Sequence, residues 1–372
     1  MGFKERFLDI IIKLVNRIPP ITFFKTDFIK ILNKILIMFR TKVLFIVEGA
    51  NWAIYWVGKD ISDNLKKLNL IDIELSSPIL PRKKILHFGS INCLINSNGV
   101  VRIAKSNKVV LTWFHIDKND KRIKYIPLLN EKLDLLHTSS EITKNMLIKC
   151  GFDKNKIVKI PLGVDLSIFK KYTTERINEL KKKYNLPEGK YIIGSFQKDG
   201  IGWGEGLEPK LVKGPDILCE VLKKLAKKFD IHIFLTGPSR GYVKKELEKS
   251  QISYTHIFLK DFNEIVDCYN VLDLYLITSR AEGGPKALVE GMATGVPIIS
   301  SNVGMTPDII KHGINGYIAE IGNVEQIYEY SCELLKNIEL KEKFIKNGLE
   351  MVKKYDWKNL VKDYYYKIYK NL

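Results

Sequence analysis

The sequence predicts an α/β protein built from two parallel-sheet domains that face each other across a cleft. Three observations predict it. The 372 residues suit two domains of ordinary size better than one. From Lys42 onward, short apolar runs of strand character alternate with helical stretches, the pattern of parallel strands covered on both faces. A charged segment from Lys170 to Lys190, closed by Pro187-Glu188-Gly189, interrupts the alternation once, and the alternation then restarts.

Composition narrows the class. With 45% hydrophobic and 27% charged residues, the chain carries enough apolar mass for two cores, which argues against disorder or a coiled coil. Sixty Lys and Arg against 42 Asp and Glu leave a net charge of +18, which favours an anionic partner: nucleic acid, nucleotide phosphates or an acidic membrane surface. Cys93, Cys150, Cys219, Cys268 and Cys332 are widely spaced and include no CxxC pair. Neither a disulfide framework nor a metal site is expected, and free thiols fit a reducing cytoplasm. No apolar run reaches the ~20 residues of a membrane-spanning helix. Asp9, Lys13 and Arg17 cut the N-terminal apolar stretch and no small-residue cleavage site follows, so no signal peptide is expected.

Residues 1–40 stand apart. Phe7, Ile11, Leu14, Val15 and Ile18 fall at helical spacing with Glu5, Asp9, Lys13 and Arg17 opposite, and Pro19-Pro20 ends that helix. A second amphipathic pattern places Phe24, Phe28, Ile31, Leu32, Ile35 and Phe39 on one face. Eight basic and three acidic residues leave this segment at +5. Such helices dock on anionic membranes or pack on the first domain; both readings stand.

Strands of the first domain are predicted at Val43–Val47, Ile85–Phe88, Val109–Phe114, Leu133–Thr138 and Ile157–Pro161. Those of the second are predicted at Tyr191–Phe196, Ile231–Gly237, His256–Leu259, Leu272–Thr278, Val296–Ser300 and Gly316–Ala319. Ligands of such sheets bind beyond the carboxyl ends of the strands.

The most informative stretch runs from Ser279-Arg280-Ala281-Glu282-Gly283-Gly284-Pro285-Lys286 to Glu290, then Gly295-Val296-Pro297. Pro285 suits the first turn of a helix and Gly295 the position past its end. A strand, a glycine turn and a short helix therefore aim the N–H groups of Lys286, Ala287 and Leu288 at the cleft, a seat for a pyrophosphate. Gly283 and Gly284 would let a ligand approach the backbone closely. Glu282 and Glu290 can bracket one ligand, since a carboxylate is a bidentate acceptor for vicinal hydroxyls. The plainer reading is a turn glutamate and a helix-surface glutamate, both solvated.

In this setting E-x7-E, then Gly295-Val296-Pro297, Asn302-Val303-Gly304-Met305-Thr306-Pro307-Asp308 and His312-Gly313-Ile314-Asn315-Gly316, resembles the retaining GT-B glycosyltransferases of family 4. His137-Thr138-Ser139-Ser140, Ile160-Pro161-Leu162-Gly163-Val164-Asp165, Phe169 and Tyr355-Asp356-Trp357 agree with it. The resemblance spans roughly residues 42–372 and implies a GT-B fold of two Rossmann-like domains. The first covers residues 41–175, the second 188–356, and a last helix at 357–372 crosses back onto the first. It further implies that Glu282 contacts the donor sugar, that Glu290 binds the ribose, and that Lys213 holds the donor diphosphate. Where relatives place an arginine stands Gln197-Lys198, so Lys198 is the expected substitute, with charge but without the bidentate fork. His115 matches the cleft histidine of the family, and Gly49 matches a diphosphate-approach position in the first strand-to-helix loop. Gly200-Ile201-Gly202-Trp203-Gly204-Glu205-Gly206 fails the G-x-G-x-x-G spacing and reads as a mobile loop beside the cleft. The other histidines read as structural, His87 being the weaker companion of His115.

The expected function is retaining transfer of a hexose-type sugar from a nucleotide-sugar to a glycan or lipid-linked acceptor in cell-surface polysaccharide synthesis. No cofactor or metal is expected, since no Asp-x-Asp occurs. The expected place is the cytoplasm, peripheral to the inner face of the membrane, with no nucleic acid bound. Two alternatives remain: a nucleotide-sugar 2-epimerase of the same fold, and a non-enzymatic basic protein that binds membrane or nucleic acid.

Overall fold

The computed structural model describes residues 41–48, 53–76 and 82–372. The predicted helices of residues 1–40 and the predicted Gly49 position lie outside the described residues.

The first sheet collects six parallel strands, β1 (Val43–Ile46), β2 (Ile73–Ser76), β3 (Ile85–Phe88), β6 (Lys108–Thr112), β7 (Leu135–Thr138) and β8 (Ile157–Lys159), in the order β2-β1-β3-β6-β7-β8. A two-stranded ribbon of β4 (Ile95–Asn96) and β5 (Gly99–Val100) stands beside it. The second sheet is also parallel and six-stranded: β9 (Tyr191–Ser195), β10 (Ile231–Thr236), β11 (Tyr254–Ile257), β12 (Leu274–Ile277), β13 (Ile298–Ser301) and β14 (Tyr317–Ala319). Its order, β11-β10-β9-β12-β13-β14, reverses direction between β9 and β12. That pair is its topological switch point, where the loops leaving adjacent strand ends part to opposite faces and open a crevice.

Continuous burial explains the strand runs. All residues of β1, β3, β10 and β12 are buried, as parallel strands covered by helices on both faces must be. One apolar cluster runs through both domains, joining Phe45 and Ile160 of the first to Tyr275 and Leu288 of the second and to Trp357 and Tyr364 near the C-terminus. The Lys170–Lys190 segment contains a helix, Thr174–Lys183, whose buried Leu180 belongs to the same cluster.

The chain returns to the first domain at its end. Val164 N–H donates to Tyr355 O and Trp357 N–H to Val164 O, at 2.9 and 3.1 Å. Asp356 caps the helix Trp357–Tyr364 through the Lys358 N–H, and that helix packs on the helix Ala53–Lys67.

Buried polar groups hold the return in place. His137 Nε2 meets Ile160 O at 2.9 Å, so it carries the proton and Nδ1 accepts from the Thr112 hydroxyl at 2.9 Å. The hydroxyl oxygen then accepts from His87 Nε2 at 2.8 Å, and His87 Nδ1 accepts from Tyr369 at 2.6 Å. Tyr364 Oη lies 3.2 Å from His137 Nε2. Burial drives the pKa of His87 far below its usual value and that of His137 down to about 4, so both rings stay neutral. His87 thus serves the first-domain interior rather than the cleft.

Candidate active site

The two loops that leave β9 and β12 flank the switch point and carry most of the predicted site. After β12, Thr278 and Ser279 are buried and the chain turns through Glu282-Gly283-Gly284-Pro285 into the helix Lys286–Thr294. Gly295 ends that helix with φ 75°, as predicted. After β9, the chain passes Gln197 and Lys198 and returns at Lys213-Gly214. Gly214 has φ 65°, and a Cβ there would stand 2.0 Å from Thr278 O, so only glycine lets this return lie against the end of β12.

That approach brings Lys213 onto Glu282, with Nζ 2.5 Å from Oε1. Ser279 Oγ lies 2.8 Å from the same carboxylate oxygen and 3.0 Å from Gln197 Oε1, and its single proton serves one of the two. Gln197 Nε2 donates to Lys213 O at 2.6 Å and fixes the lysine backbone from below. Gln197 and Ser279, absent from the predicted set, bridge the switch point.

Glu290, within the helix Lys286–Thr294, is 3% exposed. Tyr269 donates to its Oε2 at 3.1 Å, and Lys286 Nζ stands 3.8 Å from Oε1. Among the described residues, none gives Oε1 a hydrogen bond. Burial raises the pKa of Glu290, and Lys286 and Tyr269 pull it back. The Lys286 ammonium in turn meets Asp60 of the first domain at 3.0 Å. Burial opposes its charge, but Asp60 and Glu290 outweigh that and leave its pKa raised.

Two predictions about this turn need correction. Leu288 N–H is not free: it donates to Pro285 O at 3.0 Å, so the open groups at this helix start are those of Lys286 and Ala287. Gly283 and Gly284 do not face open cleft. A Cβ on Gly283 would stand 2.4 Å from Phe114 Cβ, and one on Gly284 would stand 3.0 Å from Ser139 Oγ and Leu162 Cδ1. Ser139 Oγ donates to Gly283 O at 3.0 Å. The glycines let the two domains touch here.

Further contacts close the domains around the cleft. Asp308 accepts from Glu141 N–H at 3.0 Å and pairs with Lys159 at 3.1 Å, while the Trp56 and Phe262 rings stack at 5.5 Å.

His115 follows β6 and is exposed as a residue. Protein packed around it nevertheless lowers its pKa through burial; Glu282 opposes that shift, and Arg122 and Lys213 add to it. His115 therefore stands within electrostatic reach of both Glu282 and Lys213.

Lys198 is aimed differently from expectation. Its Nζ lies over the Trp203 ring, 3.8 Å from the centroid. Lys210, which no sequence motif marked, joins the group: burial lowers its pKa, and Lys213 and Lys198 lower it further against Glu282. Lys213 thus pairs with Glu282, and Lys210 stands within electrostatic reach of Lys198, Lys213 and that carboxylate.

The loop that carries these lysines, which includes the expected mobile stretch 200–206, makes several backbone contacts. Gly200 bridges Pro209, Ile201 N–H donates to Glu208 O, and Lys210 N–H donates to Asp199 O at 2.7 Å. Gly241 N–H and Tyr242 N–H donate to Glu205 O and Gly206 O, so the loop stoppers the start of the helix Gly241–Lys249. The helix start at Gly241 is thus closed by this loop, whereas no side chain caps the start at Lys286 among the described residues.

Among the described residues, no group of three or more His, Cys, Asp or Glu is placed to hold a metal ion, and no helix is long and apolar enough to cross a membrane.

Comparison with known proteins adds family and fold. Residues 207–351 match the family described as glycosyl transferases group 1. An uncharacterised glycosyltransferase of Methanocaldococcus jannaschii is 32% identical over 187 residues, 50% of this chain and 50% of that protein. N-acetyl-alpha-D-glucosaminyl L-malate synthase of Bacillus anthracis is 25% identical over 244 residues, covering 59% of this chain and 60% of the relative. The matched stretch thus spans about half the length of these curated relatives. Among solved structures, Anabaena HepE in complex with UDP-glucose superposes with a TM-score of 0.72 at 15% identity, covering 90% of this chain and 100% of that one. Sucrose-phosphate synthase of Thermosynechococcus elongatus gives 0.70 at 13% identity, over 89% and 99%.

Proposed function

We propose that this chain, which has the GT-B fold and whose residues 207–351 match glycosyl transferases group 1, moves a hexose-type sugar from a nucleotide-sugar to a glycan or lipid-linked acceptor. The observation that carries the reading is the cluster at the switch point: Lys213 on Glu282, Lys210 within electrostatic reach of both and of Lys198, and the helix that starts at Lys286 after the same turn.

The donor diphosphate is assigned to that cluster, where positive charge from three lysines and a helix start meets the charge that develops on the leaving group. Glu290, with an oxygen that lacks a hydrogen bond among the described residues, is assigned the ribose hydroxyls. Glu282 and His115 are assigned the reacting sugar. In the step itself the bond between the anomeric carbon and the diphosphate oxygen breaks. The acceptor oxygen bonds to the same face of that carbon, and its proton passes to a donor phosphate oxygen. Retention follows, and no protein base is needed. The lysines supply the charge that a divalent ion would otherwise supply, so activity without added metal is part of the proposal.

Support for a nucleotide-sugar comes from HepE, whose solved complexes hold UDP and UDP-glucose. Support for cell-surface glycan synthesis comes from relatives named for amylovoran and capsular polysaccharide biosynthesis. The basic segment 1–40 is assigned to reversible attachment at the inner face of the membrane, with the rest of the protein in the cytoplasm.

Incubation with a panel of UDP-, GDP- and ADP-sugars in EDTA, followed for nucleoside diphosphate release, tests the proposal. Release from one donor class is expected. Silence across the panel, or release only with added divalent metal, contradicts it.

A further inference from the structure

Behind the cation cluster lies a charged pair that the proposed reaction does not touch. Arg240 is 1% exposed and Asp199 0%, and Arg240 Nε donates to Asp199 Oδ1 at 2.9 Å. Arg240 Nη1 also donates to Ser195 O at 2.6 Å and to Thr236 O at 3.1 Å, the last residues of β9 and β10. One guanidinium therefore clamps two strand ends and the root of the loop.

Burying such a pair often costs more than a packed apolar pair would, and Asp199 Oδ2 and Arg240 Nη2 have no hydrogen-bond partner among the described residues. Stability alone does not account for it. Its position does: Asp199 follows Lys198 directly, and Asp199 O accepts the Lys210 N–H at 2.7 Å. A shift of Asp199 thus moves both lysines, and through the 210–213 turn it moves Lys213, whose N–H donates to Lys210 O at 2.7 Å.

We propose that the Asp199–Arg240 pair is a positioning device for diphosphate recognition, holding the 198–213 loop so that Lys198, Lys210 and Lys213 converge on one anion. The proposal rests on the donor reading above. Arg240 and Asp199 touch no substrate; they act through the three lysines. Because the pair fixes only the phosphate side of the site, its loss weakens ligands in proportion to their terminal phosphate charge.

The experiment compares the full chain with Asp199→Asn, which keeps the shape, and Arg240→Lys, which keeps the charge but loses the fork. Calorimetric titration uses UDP, GDP and ADP and, for the base that binds, the matching monophosphate. Circular dichroism checks that each variant is folded. Loss of one aligned charge-assisted contact predicts diphosphate affinity about tenfold weaker in either folded variant, with the monophosphate changed by less than about twofold. Equal weakening of both ligands, or diphosphate affinity equal to that of the wild type, overturns the proposal and leaves the donor reading intact. If the wild-type chain binds none of the three diphosphates, the donor reading falls and the proposal falls with it.

Discussion

Lys213 and Glu282 close the switch point of the second sheet with an ion pair of 2.5 Å. The pair holds the site in register before any ligand arrives, and it also occupies the cation that the diphosphate is proposed to use. Ligand binding must therefore exchange one anionic partner of Lys213 for another.

That exchange makes a sign prediction. Glu282→Gln removes the competing charge while keeping the Ser279 contact possible. Calorimetry should find nucleoside diphosphate bound about three- to tenfold more tightly, while sugar transfer slows because Glu282 no longer meets the donor sugar. Weaker diphosphate binding in this variant contradicts the competition.

Glu290 offers a trade between stability and binding. Its carboxyl has a raised pKa because it is buried, so the folded state binds a proton more readily than the unfolded chain. The charged form therefore costs stability as pH rises past the ordinary carboxylate range. Glu290→Gln should melt higher than wild type at pH 7.5, and the gain should shrink as pH falls through that range. Scanning calorimetry at several pH values measures it. A variant that melts lower at pH 7.5 means that the Lys286 attraction outweighs the burial cost.

The histidine chain beneath the C-terminal helix predicts acid sensitivity. His137 has a folded pKa of about 4 and an ordinary unfolded one, so the unfolded chain takes up its proton first as pH drops. The stability linked to His137 is complete above pH 6.5 and is lost toward pH 4, with ~2 kcal/mol gone by pH 5. Urea titrations at pH 7 and pH 5 measure the loss, which His137→Gln should reduce. Equal stability at both pH values contradicts a neutral buried ring.

Much of this architecture is legible in the chain because parallel strands buried on both faces leave continuous apolar runs. Ile85–Phe88 appears at its observed bounds for that reason. The edge strand β2 is not among the predicted strands, because the four residues Ile73–Ser76 hold only two apolar positions, too short a pattern to stand out. In the site, the Glu282 and Glu290 spacing is a property of one local turn and the helix after it and could be read directly. Lys210, Gln197 and Ser279 become site residues only when two loops meet at the switch point, a tertiary event without local periodicity. The hydrogen bond between Gln197 and Ser279 joins residues 82 apart. Gly283 and Gly284 were expected to meet a ligand, whereas the residues packed against them belong to the first domain, a difference that local sequence does not carry.

The basic segment predicts location. Each cation near an anionic surface contributes up to ~1 kcal/mol, which salt screens. The full chain should sediment with anionic liposomes at low salt and leave them at high salt. Removal of residues 1–38 should abolish sedimentation while donor turnover partly survives. A truncated protein that aggregates means instead that these residues complete the first domain.

The central claim is that the crevice between β9 and β12 holds a nucleoside diphosphate, with cations on its phosphates and Glu290 on its ribose. Calorimetric titration of UDP, GDP and ADP into wild type, Lys213→Ala and Glu290→Ala tests it most directly. The account predicts that one diphosphate binds the wild type and that each variant binds it at least about tenfold more weakly, each having lost a charge-assisted bond. Unchanged affinity in both variants, with the wild type binding normally, would place the nucleotide elsewhere and contradict the account.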